Sequence, residues 1–332
     1  MMSALTYGFN ADERQPVTGS AIQRDGMAVA KQVAAATATY NSIYINNPAH
    51  RRAVQAIVEV NEQGLAAPDR AEVKSLLLTG PSAAGKTSAI KQAIDAIESD
   101  RSLSETAGEL PMKSVVYVAI DVGATNRRIW TAVLEAVGNT FVERSTEEKL
   151  RSRAYKLMKA MGITLIVFDE VQHLARSNRA KDVTDVFKRI LDDGVVPLIL
   201  VGTEDACRMF QGNVQIANRM VTPCELKPFD FKVDDEVHIF RHFLARLDAE
   251  MLRRGLVTSQ GDLGSERISQ AIMHVSGGIL GRAVNLIREA LAIMVRREGE
   301  KIEVYDLHRA TEQWALPLRI ATHNAFVTPG TA

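Results

Sequence analysis

Eight consecutive residues, Gly80-Pro81-Ser82-Ala83-Ala84-Gly85-Lys86-Thr87, fit the pattern G-x-x-x-x-G-K-[ST]. The chemistry of that pattern is anion capture: successive backbone N–H groups and a helix N-terminus, which Ser88 extends, wrap the phosphates of a nucleotide while the lysine meets the terminal ones. The plain alternative is a pair of glycines that only turn a loop. Farther along, the apolar run Ile163 to Phe168 ends in two carboxylates, Asp169 and Glu170. An acid delivered this way can share a magnesium ion with the Thr87 hydroxyl, and its neighbour Glu170 can orient and polarise the attacking water. A solvent-facing acidic cap is the alternative there. Thr203, at the end of the apolar run Val195 to Gly202, can hydrogen-bond a γ-phosphate or that water. His173 is expected to be a structural histidine, with a part in a phosphate-sensing relay as the other reading. Two more cations complete the set. Arg219, with Arg208 as second choice, precedes the final strand-like stretch and is placed to reach the nucleotide of a neighbouring subunit. Arg282 opens a late helix and can swing onto a γ-phosphate.

For these residues to meet, several strands must end beside one loop. Val73 to Thr79 is apolar and strand-like, and Ser88 to Ile97 places Ile90, Ala93, Ile94 and Ile97 on one helical face, so the loop joins a strand to a helix. Ser114 to Ile120, Ile163 to Glu170 and Val195 to Thr203 read as further strands. Helical stretches separate them: Ile129 to Val137, then Glu148 to Ala160, then Ala180 to Leu191 with Val183, Val186, Phe187 and Ile190 inward. Arg101 to Met112 reads as a loop. After Glu204 come a helix, the segment Gln215 to Met220, and a strand-like Val221 to Leu226. This alternation predicts an α/β fold with a central parallel sheet. From Asp234 the signal is helical only, with Val237, Phe240, Phe243, Leu244, Leu247, Ile268, Ile272 and Val275 as the apolar stripe, and a small helical lid domain is expected. The expected organisation is 1–40 as a mobile arm or helix, 41–230 as the nucleotide-binding domain, 231–314 as the lid and 315–332 as a flexible tail. In the arm, helix is expected from Met27. A second helix opens at Asn46-Asn47-Pro48 with Val54, Ile57, Val58 and Leu65 on its apolar side, and Tyr44 to Pro48 is expected around the adenine.

Thr125, Asn126, Arg127 and Arg128 stand at a strand-to-helix junction, the rim where α/β sheets bind ligands. They are either a solvated helix start or a contact to DNA phosphate, with two guanidiniums backed by two hydrogen-bonding side chains. Lys149, Arg153 and Lys156 share the outer face of the Glu148 to Ala160 helix, which is either solvation or a second nucleic-acid stripe. Lys plus Arg and Asp plus Glu are 40 each, so nucleic acid must be met by a local patch, not by a whole-molecule field. Two cysteines in 332 residues argue against a disulfide framework or metal knuckle and suit a reducing cytoplasm. No apolar run approaches the ~20 residues of a membrane span. The N-terminus lacks a basic region leading into an apolar one, so no secretory leader is expected.

Gly80 to Thr87, Asp169-Glu170, Thr203, Arg219 and the Gly-Gly-Ile-Leu-Gly-Arg phrase ending at Arg282 stand in an order that resembles an AAA+ ATPase. The phrases Phe168-Asp169-Glu170-Val171-Gln172-His173-Leu174, Leu200-Val201-Gly202-Thr203 and Asn218-Arg219-Met220 are similar, more narrowly, to the TniB/TnsC family of transposition regulators. The likeness spans about Tyr44 to Ala310, and Met220 stands where the family usually has phenylalanine. The resemblance implies ATP and Mg2+ as cofactors and assembly as a homo-oligomeric ring or helical filament on duplex DNA. It implies recruitment or activation of a transposase, with a TniQ-like target selector as partner, and DNA-facing residues that map onto Thr125 to Arg128. Other AAA+ ATPases (initiator, helicase loader, secretion ATPase) and an ATP-dependent structural adaptor with negligible turnover are the alternatives.

Overall fold

The computed structural model describes residues 19–67, 73–104, 113–139, 145–174, 180–211 and 214–326. Five parallel strands form one sheet: β1 (Ser75–Thr79), β2 (Val115–Ala119), β3 (Leu165–Asp169), β4 (Leu198–Gly202) and β5 (Cys224–Glu225), in the order β2-β3-β4-β1-β5. Every residue of β1, β3 and β4 is buried. Such strands must be covered on both faces, which is why they read as unbroken apolar runs. Because side chains alternate, the strands β1 to β4 feed two cores. Leu76, Leu78, Leu165, Val167, Ile199 and Val201 pack with α2 (Pro48–Ala66) and α3 (Lys86–Ser104). Leu77, Val116, Val118, Ile166, Phe168 and Leu200 face the other way, onto α4 (Asn126–Ala136), α5 (Glu147–Met161) and α6 (Ala180–Asp192), around Trp130, Met158 and Phe187. Truncating fully buried Phe168 to alanine would cost about 3–5 kcal/mol. Two short helices, α7 (Glu204–Gln211) and α8 (Val214–Ala217), lead from β4 towards β5.

A third core lies among helices α9 (Asp234–Arg253), α10 (Glu266–Ser276), α11 (Leu280–Arg296) and α12 (Val304–Ala310), with Phe240, Leu244, Ile272, Leu286, Ile287 and Leu291 at its centre. The N-terminal helix α1 (Gly19–Asn41) belongs to this body. Its Tyr40 is buried there and donates its hydroxyl to Val284 O at 2.9 Å.

Several boundaries differ from expectation for physical reasons. α1 opens eight residues before Met27, in a stretch too weakly patterned to show a period. α3 continues through Arg101, whose guanidinium donates to Ser114 Oγ (2.7 Å) and Gly162 O (2.8 Å), so helix replaces the start of the expected loop. Leu65 is 57% exposed and outside the α2 stripe. β4 begins only at Leu198, because Pro197 has no N–H for a ladder. The chain after 315 is packed as far as Phe326, with Ile320, Ala321, Ala325 and Phe326 against the helical core and Asn324 Nδ2 donating to Glu312 at 2.7 Å. The arm before residue 19, the loop 105–112, the Val183 side chain and the tail from 327 lie outside the described residues. Among the described residues no helix is long and apolar enough to cross a membrane.

Candidate nucleotide site

The loop Gly80 to Gly85 leaves the C-terminal end of β1 and enters α3 at Lys86. Ala83, at φ 65°, and Gly85, at φ 95°, are left-handed, and between them the Ala84 N–H donates to Pro81 O at 3.1 Å. Lys86 is buried, and its Nζ donates to Gly80 O (2.8 Å) and Pro81 O (3.0 Å). Burial pushes the Lys86 ammonium below its ordinary pKa, and the negative charges of Glu170 and Asp169 partly offset this. A cleft of about 370 Å³ opens beside the loop, lined by Gly80, Pro81, Thr203 and Arg208 among others, so Thr203 and the loop share one space.

Asp169 ends β3, 4% exposed. Its Oδ1 accepts the Glu170 N–H (2.8 Å), and its Oδ2 accepts the Tyr117 hydroxyl from β2 (2.5 Å). Tyr117 pairs with Val167 in the sheet, so its ring lies on the face of Val167 and Asp169 and its tip reaches the diagonal neighbour. Burial, then the bond to Asp169, raise the Tyr117 pKa well above the usual phenol range. Glu170 has φ 60°, a conformation that non-glycine residues seldom adopt. His173 donates Nδ1–H to Ile120 O (2.8 Å), which leaves Nε2 at 4.0 Å from Glu170 Oε2.

The segment Asn46 to His50 lies over the loop from α2. Asn47 caps that helix, its Oδ1 accepting the Ala49 and His50 N–H groups. His50 Nε2 is 3.2 Å from Ala84 O, and Tyr44 stacks on the His50 ring. Asn46 Oδ1, Asn47 Nδ2 and His50 Nδ1 are buried with no hydrogen-bond partner among the described residues. Three orphan polar atoms in one segment, a donor among them, suit a flat heteroaromatic ring with donors and acceptors on its edge. From the helical body, Gly281 N–H donates to Ala83 O (3.0 Å), and a Cβ at 281 would collide with that oxygen. Arg282 is the next residue, in the first turn of α11.

Arg219 is elsewhere. Its carbonyl accepts the Ser75 N–H (2.8 Å) at the N-terminal end of β1, opposite the phosphate loop, and its guanidinium pairs with Asp192 (2.7 Å). Arg208, the second choice, pairs with Glu204 and Asp205. At the β2–α4 junction, Thr125 caps α4, Arg127 is exposed, and Arg128 pairs with Asp121 and Glu135, both at 3.2 Å. The positive charge of Arg128 is thus locally matched. Tyr117 and His50 were not singled out by sequence, and Gly281 entered only as part of the Gly-Gly-Ile-Leu-Gly-Arg phrase. A tyrosine two residues before the end of an otherwise aliphatic strand, and a histidine three after a helix cap, were the available signals.

The family model for the bacterial TniB protein matches residues 43–230, more than half of the chain. The chain belongs to the TniB family. No curated protein sequence matches it. Solved structures similar to this TniB-family chain include the Aeropyrum pernix ORC2 protein in its ADP form (TM-score 0.62, 15% identity, 83% of this chain and 72% of that one). The Aeropyrum pernix ORC1 protein in complex with DNA is also similar (TM-score 0.58, 17% identity, 81% of this chain and 66% of that one). So is Cdc6p from Pyrobaculum aerophilum (TM-score 0.58, 15% identity, 83% and 70%). This likeness is one of fold. The parallel sheet with flanking helices is shared with these proteins, and the expected α/β fold and family stand.

Proposed function

We propose that this TniB-family chain is an ATP-dependent regulator of DNA transposition that assembles on duplex DNA, marks a target site and recruits or activates a transposase. The observation that carries the reading is the placement of two half-sites at opposite ends of β1: the loop with Asp169, Glu170 and Thr203 at one end, and Arg219 at the other. Four residue-to-residue steps of strand take Ser75 to Thr79, roughly 13 Å, so Arg219 serves the nucleotide of a second copy. Gly80, Pro81, Ser82, Ala83, Ala84, Gly85, Lys86, Thr87 and Ser88 hold the phosphates of ATP, with Lys86 exchanging its two carbonyl partners for phosphate oxygens. The orphan atoms at 46–50 receive the adenine. Thr87 and Asp169 are the residues for magnesium, which when bound neutralises charge on the phosphates. Glu170 takes up the proton side of the attacking water, Thr203 orients it, and Arg282 senses the γ-phosphate from the helical body, which acts as the lid.

Assembly follows, as a ring or filament in which ATP is sandwiched between copies. Hydrolysis through Glu170 then dissolves it. Arg127 is the leading contact to DNA phosphate beside Thr125 and Asn126, and Arg128 joins if DNA displaces its carboxylate partners. Phosphate contacts carry little sequence information, so target choice belongs to a TniQ-like selector. The reading places the chain in the cytoplasm. Electron microscopy with a non-hydrolysable ATP analogue, with and without duplex DNA, tests this: oligomers on DNA are expected, and monomers under both conditions overturn it.

A further inference from the structure

Gln172 uses both ends of its amide at the junction of β3 and β4, and nothing above employs it. It is 6% exposed. Its Nε2 donates to Glu170 Oε2, and its Oε1 accepts the Thr203 N–H at 3.1 Å. The neighbourhood is shaped to admit it: a Cβ at residue 202 would sit 2.7 Å from Gln172 Oε1, and Gly202 leaves that room. Near Glu170 Oε2, at 4.0 Å, stands His173 Nε2, its ring fixed by the bond to Ile120 O. Glu170 itself is held in a left-handed conformation, which a side chain of this kind keeps only where its surroundings fix it.

We propose that Gln172 is the positioning residue of Glu170. Its amide aims the carboxylate and ties it to the main chain of Thr203, so that the ends of β3 and β4 respond to the nucleotide as one piece. The proposal rests on the reading of Glu170 as the group that polarises the attacking water. The chemistry explains the residue type. A carboxylate accepts and an amide N–H donates, so one side chain must offer a donor and an acceptor on opposite sides. Glutamate at 172 keeps an acceptor for Thr203 but turns an attraction on Glu170 into repulsion. With Nε2 on Oε2, the second oxygen of Glu170 is left to accept from water.

The test is steady-state ATP hydrolysis by the full chain together with direct titration of a fluorescent ATP analogue. Gln172→Glu and Gln172→Ala are expected to lower kcat about ten- to a hundredfold, the range seen when a supporting hydrogen bond is removed, with KM and analogue affinity within about twofold of native. In a Glu170→Gln background, Gln172→Ala is expected to cost nothing further, because the carboxylate it aims is gone. Native kcat in both single variants overturns the proposal, and so does a parallel loss of kcat and nucleotide affinity, which marks a structural role. If the glutamate variant fails to fold, Gln172→Met, similar in volume and without the amide, decides on the same criteria. A Glu170→Gln chain with native kcat, or a native chain that never hydrolyses ATP, instead removes the hydrolytic reading and this role with it. An inactive Glu170→Gln chain beside fully active Gln172 variants removes only the role of Gln172.

Discussion

Lys86 is the cation of the site, and Tyr117 fixes one of its carboxylates, Asp169. Lys86 is a buried ammonium resting on two carbonyls, Gly80 O and Pro81 O, both of which lie in the phosphate loop. Carbonyl dipoles satisfy its hydrogens but do not balance its charge, so an anion arriving there gains a charge-assisted contact of roughly 1.5–3 kcal/mol. Lys86→Ala is therefore expected to weaken ATP binding about ten- to a hundredfold. Unchanged affinity in an equilibrium titration would rule out a phosphate role. Tyr117 fixes Asp169 through the 2.5 Å bond to Oδ2. Tyr117→Phe frees that oxygen to rotate, and the magnesium concentration that half-saturates tight ATP-analogue binding is expected to rise about tenfold or more, with metal-free binding unaltered. An identical magnesium dependence would mean that the phenol is only a neighbour.

At the scale of elements, α2 is bound to the loop by one imidazole. His50 Nε2 must carry the proton to donate to Ala84 O, and Nδ1 is buried without a partner among the described residues, so the neutral ring fits and the imidazolium does not. Burial lowers the His50 pKa, while its bond to Ala84 pushes the other way. The unfolded chain, titrating near 6.5, thus binds more protons than the folded one between the folded pKa and 6.5. Stability from this group is present above about pH 6.5 and is lost as pH falls toward the folded pKa. Thermal melts from pH 7.5 down to 5.5 should show that loss, and His50→Gln, which can still donate to Ala84 O, should flatten it. A His50→Gln profile parallel to native would refute the assignment. Contacts of this kind mark the limit of sequence reading. β1, β3 and β4 were legible because burial on both faces demands unbroken apolar runs, and Gly80 to Thr87 and Asp169-Glu170 because each is contiguous. β5 keeps two residues because backbone bonds from Val221 and Leu226 to β1, not a side-chain pattern, hold that segment. His50 and Tyr117 act across 34 and 52 positions of chain, and no local pattern encodes the partner.

For the whole molecule, the placement of Arg219 decides whether one chain is a complete enzyme. Its backbone is pinned to Ser75 and its guanidinium to Asp192, both away from its own loop. Two defective chains should then repair each other. Arg219→Ala keeps an intact loop and acids; Lys86→Ala keeps an intact arginine. Each alone is expected to hydrolyse ATP at a small fraction of the native rate, since an arginine supplied across an interface contributes about 10³-fold or more in related phosphoryl transfers. Mixed in equal amounts with duplex DNA, they should form interfaces that join the Arg219 of one to the loop of the other and recover up to about a quarter of native turnover, the random share of competent pairs. Asp192→Asn, in an otherwise native chain, releases the resting ion pair and should raise turnover, while the mixture, carrying the same change, stays dependent on both partners. Activity in Arg219→Ala alone equal to native, or a mixture no better than its parts although both variants co-assemble, would show that the arginine only anchors α6 to its own subunit.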